Sequence, residues 1–152
     1  DRHLIEERLG GHRPRVRGGA AQLDWDDTGF RVLGGGVDGE LLASPQRLPG
    51  LTWTLLVRRA AEVAATTLVD EDFGAASPRV LTRVSASTEP SSSAFDAQLA
   101  DLHWRLLARR PDAATLAGLT ELWGAAAAAS SPTEAWATVI AALLRDPDFV
   151  AY

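Results

Sequence analysis

The chain has 152 residues, with 20 acidic side chains against 15 basic ones, all Arg, and a formal net charge of −5. It contains no Cys, Met, Lys or Asn. That excludes a disulfide framework, a thiolate metal site, a Cys nucleophile, covalent haem attachment within the chain, a lysine Schiff base and a Walker-type phosphate lysine.

Charge is spread evenly. Residues 1–50 hold 8 acids and 7 Arg, residues 51–90 hold 5 and 4, and residues 91–152 hold 7 and 4. No basic face exists to track a phosphate backbone, so nucleic-acid binding is not expected. The 27 Ala, 21 Leu and 10 Val against 2 Ile mark a GC-rich coding sequence. No run approaches the ~20 apolar residues that span a bilayer as a helix. A chain of this size buries roughly 70% of its unfolded surface, enough for one domain with a core. There is no signal-peptide pattern and no initiating Met, and the chain is expected to begin inside a larger gene product. The lack of Cys fits any redox compartment.

Residues 2–9 (RHLIEERL) place Leu4, Ile5, Arg8 and Leu9 on a helical stripe that Gly10-Gly11 would stop. Ten of the 13 Gly fall in residues 10–50, too many for a regular helix. Within that region Leu23-Asp-Trp25-Asp and Phe30-Arg-Val32-Leu alternate apolar with polar around Asp27-Thr28-Gly29. This pattern reads as a short β-hairpin.

The spacing predicts a helix over 51–69. Trp53, Val57, Ala60, Ala64 and Leu68 share one face, widened by Leu56 and Val63, and Arg58–Glu62 is an i,i+4 pair. Asp70-Glu-Asp72 follows, with acids where the helix dipole disfavours them. Either the helix stops before them or they hold something. Residues 74–94 read as a connector, and the polar stretch Ser85–Ser93 is the expected flexible segment and internal boundary.

Three more helices are expected. The first covers 94–108, with Phe95, Leu99, Leu102 and Leu106 on its stripe and Ser93 as N-cap. Pro111 ends it, and Asp112 caps the next, over 113–128, with Leu116, Leu119 and Trp123 inward and Gly124 as a weak point. Ser131-Pro132-Thr133-Glu134 is a capping box with Pro at the first helical position. It opens a helix whose stripe is Trp136, Val139, Ile140, Leu143 and Leu144, ended by Asp146-Pro147. The fold expected is mostly α, an antiparallel bundle of about four helices. It comprises an irregular Gly-rich segment over 1–50, with room for one hairpin, and a helical domain over 51–152.

Gly34-Gly35-Gly36-Val37-Asp38-Gly39 formally matches G-x-G-x-x-G. Pro45 forbids the long helix a dinucleotide site needs next, and no βαβ unit surrounds the run, so it reads as a turn. Asp24, Asp26 and Asp27 with Gly29 resemble half a Ca²⁺ loop. The twelfth position, which needs a bidentate acid, is Gly35, leaving only a looser Ca²⁺ site sharing Asp38 and Glu40, against a solvated hairpin turn. Such a site would raise the melting temperature when Ca²⁺ is added.

His3, His12 and His103 form no H-x-x-x-H pair. His103 reads as a helix residue with one satisfied nitrogen, the alternative being axial haem ligation or metal binding with a partner chain. Asp70–Asp72 are acid–base candidates, although consecutive carboxylates on a helix do not face each other. Trp53, Trp104, Trp123 and Trp136 fall in four different helices and read as core. Trp25, in the Gly-rich region, is the one open to a binding role.

Two stretches carry a resemblance. One is Leu33-Gly-Gly-Gly-Val-Asp-Gly39, followed by a Pro and a helix containing Arg58-Arg59-Ala-Ala-Glu62. The other is Leu102-His-Trp-Arg-Leu-Leu-Ala-Arg-Arg-Pro-Asp112, closing in Leu144-Arg-Asp-Pro-Asp-Phe-Val-Ala-Tyr152. Together they resemble the C-terminal part of large exported bacterial proteins of unknown function, similar to the planctomycete-type cytochrome-c-associated family. The resemblance implies an extracytoplasmic protein with a redox- or surface-associated partner. The haem motif C-x-x-C-H of that family is absent, so no haem ligand carries over.

The expected function is a non-catalytic interaction or scaffolding module of a larger exported protein. Its partners would be other domains of the same polypeptide or a separate protein, and no cofactor is expected. The alternatives are an enzyme fragment whose site is completed by other segments or chains, and a calcium- or haem-partner-binding domain.

Overall fold

The computed structural model describes residues 50–150. Among the described residues the fold is all helical and contains no strand. The elements are α1 (Leu51–Gly74), α2 (Ser93–Leu107), α3 (Ala113–Ala129), α4 (Pro132–Leu144) and a single turn, α5 (Pro147–Val150). The helical stripe over 2–9, the hairpin over 23–33 and the glycine run at 34–39 lie outside the described residues.

α4 is the centre of the packing. It meets α1 and α3 most extensively and also touches α2 and α5. The sequence explains this. Ser131 accepts the Glu134 N–H at 3.2 Å and Pro132 occupies the first turn, so the helix starts where the capping pattern puts it. From Ala135 to Leu144 only Thr138 and Ala142 escape burial. Asp146-Pro147 ends the helix as expected, and a further turn folds Phe149 back into the core.

α1 lies along α4 through small side chains. Ala60, Ala61, Val63, Ala64, Ala65, Leu68 and Val69 are buried, and alanines let two helix backbones approach closely. The stripe holds from Ala60 onward, but Trp53, Leu56 and Val57 are only half-buried. Leu51 and Leu55 are 77% and 56% exposed.

The helix also runs through the acidic triplet to Gly74 rather than ending at Val69. The cause lies beyond the helix. Asp72, 2% exposed, accepts the backbone N–H of Arg79 at 3.0 Å, of Val80 at 2.8 Å and of Leu81 at 2.7 Å. The dipole penalty on one carboxylate, typically 0.3–1 kcal/mol, is outweighed by charge-assisted hydrogen bonds worth about 1.5–3 kcal/mol each.

Residues 79–83 thereby become a strap that links the end of α1 to the side of α2. Gln98, fully buried, grips it from the other side. Its Nε2 donates to the Val80 carbonyl and its Oε1 accepts the Arg83 N–H, both at 3.0 Å. Val80 and Leu81 are buried in the core cluster. The serine-rich stretch that follows folds on itself. Thr88 Oγ1 accepts the Ser85 N–H at 2.8 Å, and Ser92 Oγ donates to the Glu89 carbonyl at 2.7 Å. A single apolar cluster contains residues from both sides of this connector.

α2 starts one residue early. Ser92, not Ser93, is the N-cap, accepting the Phe95 N–H. Serines stand at 91, 92 and 93, and the one that caps is three residues before the buried Phe95. α3 begins on Asp112 as expected and continues through Gly124. It buries only Leu119 and Trp123 fully, with Leu116 and Leu122 packed at the edge.

Trp123, Trp136 and Phe95 form an aromatic trio. Ring centroids are 5.1 Å apart for Phe95–Trp123, 5.0 Å for Phe95–Trp136 and 6.0 Å for Trp123–Trp136, all tilted or edge-on. Such pairs contribute about 0.5–1.5 kcal/mol beyond their burial. The two indole N–H groups have no hydrogen-bond acceptor among the described residues. Trp104 departs from the expectation of a core role and is 56% exposed.

Candidate functional site

Buried polar groups are the natural starting point for a site, because each must be paired or must serve a purpose. Four residues with polar side chains are buried among the described residues: Thr67, Asp72, Gln98 and His103. Asp72 and Gln98 both close on the strap, and all the contacts described above are to its main chain. A carboxylate engaged by backbone amides is a poor general base, since proton uptake would break those bonds.

His103 is held similarly. Its Nδ1 donates to the Arg109 carbonyl at 2.8 Å, across the turn that closes α2. The carbonyl can only accept, so the proton sits on Nδ1. This is the one-satisfied-nitrogen arrangement expected from the sequence. The turn it stabilises is strained. Ala108 has φ 54°, ψ 22°, the left-handed region that non-glycine residues avoid at a cost of about 1–2 kcal/mol.

Asp70 and Asp72, acid–base candidates on one helix, end up in different surroundings. Asp70 is exposed and Asp72 is buried against the strap. No group of three or more His, Asp or Glu side chains is placed to hold a metal ion among the described residues. The Ca²⁺ candidates Asp24, Asp26 and Asp27, with Trp25, lie outside the described residues.

The charged surface is built from local pairs. Arg58 Nε meets Glu62 at 2.8 Å, as the i,i+4 spacing implies, and that contact raises the guanidinium pKa above its ordinary value. Arg83 pairs with Asp101, and Arg109 meets Asp148 at 3.2 Å, tying α5 to the end of α2. Arg105 donates to the Arg79 carbonyl at 3.1 Å, adding a third support to the strap. Asp112 titrates below its ordinary 3.8, first because the Thr115 amide hydrogen-bonds its carboxylate. That is an N-cap effect, and Asp112 is fully exposed.

The surface also presents large apolar side chains. Leu51 and Leu55 are four residues apart on the first turns of α1, on one helical face ahead of the first buried residue, Ala60. Trp104 is the third. No described helix is long and apolar enough to cross a membrane.

Sequence reasoning missed Gln98, although a signal was there. Gln98 is three residues after Phe95 and four before Leu102, a polar side chain on an apolar stripe. It also missed that the first stripe residues of α1, Trp53, Leu56 and Val57, are only half-buried. Searches against protein-family models, curated proteins and solved structures each find no match for this chain.

Proposed function

We propose that the chain is a non-catalytic helical interaction or scaffolding module of a larger exported bacterial protein. Its partners are other domains of the same polypeptide or a separate protein. The observation that carries this reading is the pair Leu51 and Leu55, exposed together on the opening turns of α1. Contiguous exposed apolar surface is unfavourable in water and marks contact sites in soluble proteins. The employment of Asp72, Gln98 and His103 in holding backbone supports the non-catalytic half of the proposal.

In this reading the helices form an antiparallel bundle, with the Gly-rich 1–50 segment as an irregular extension. An extracytoplasmic location follows from the resemblance to the cytochrome-c-associated family, in which this chain would be a part that carries no haem.

A photo-crosslinking residue placed at Leu55 tests the proposal, with exposed Asp96 on α2 as the control position. In the native host, position 55 should give a discrete crosslinked product, identified by mass spectrometry as one protein or one separate segment of the gene product. Equal and diffuse crosslinking at 55 and 96 would refute it.

A further inference from the structure

We draw no further inference here: the strongest candidate, the exposed face of α3 formed by Ala114, Ala117, Gly118, Ala125 and Ala128, is a stripe of small residues, and nothing in the structure shows what covers it.

Discussion

Asp72→Ala is the most informative perturbation, because a single side chain closes the strap onto α1. The three amides it accepts are not equal. Val80 and Leu81 are 4% and 0% exposed, whereas Arg79 is exposed. Once the carboxylate is gone, water reaches the Arg79 amide, but the other two are stranded. A buried donor left unsatisfied costs about 1–3 kcal/mol, so two give roughly 2–6 kcal/mol. Relief of the unfavourable helix-end charge returns about 0.3–1 kcal/mol. The net expectation is a loss of about 3 kcal/mol, a large share of the ~5–15 kcal/mol that holds a domain. Urea denaturation followed by far-UV circular dichroism measures this. Hydrogen exchange at the Val80 and Leu81 amides locates it. Asp72→Asn keeps one acceptor oxygen but turns an NH₂ toward the strap, so it should recover only part of the loss. If Asp72→Ala costs less than about 1 kcal/mol and both amides stay protected, the strap is held by burial of Val80 and Leu81, and the argument from Asp72 fails.

Further outcomes are expected elsewhere. Ala108→Gly should stabilise the chain by about 0.5–1 kcal/mol, since relief of left-handed strain exceeds the added entropy of the unfolded chain; a lower melting temperature would contradict the strain at φ 54°. His103→Ala removes a buried ring and its bond to the Arg109 carbonyl, and should cost about 2–4 kcal/mol in denaturant titration. Asp112 has its pKa lowered in the fold, so its capping contribution is present above the unfolded value of 3.8 and is lost as pH falls through the lowered folded value. Acid melting curves should therefore show the native chain losing an increment that Asp112→Asn lacks.

What the sequence made legible is what neighbouring residues decide. Ser131-Pro132-Thr133-Glu134 starts α4 because the cap, the fixed proline φ and the first-turn acid all act within four residues. Asp112 starts α3 for the same reason. The stripes of α2 and α4 became core because a 3.6-residue period needs no knowledge of the partner. The end of α1 was different. Asp72 is tolerated there only because amides seven to nine residues later arrive to receive it, and the path of an irregular segment has no period to read. His103 sat where its neighbours implied, but its carbonyl partner depends on the left-handed Ala108, a conformation no alanine announces. Trp104 shows the converse limit. Hydrophobicity forecasts burial only when another surface is there to meet it.

The strap also has a consequence for how this stretch of chain can change over evolutionary time. Its anchors grip the main chain at fixed positions: the amides of 79, 80, 81 and 83 and the carbonyls of 79 and 80. Thr82 and Arg83 are exposed, and exposed ion pairs such as Arg83–Asp101 contribute little. Substitution at Thr82, and of Arg83 by any residue that keeps its N–H, should be tolerated widely. A single insertion or deletion between Asp72 and Gln98 that shifts the strap would misalign every anchor at once. Selection on this segment falls on length and on the two apolar seats at 80 and 81, leaving the identity of its exposed side chains free to drift.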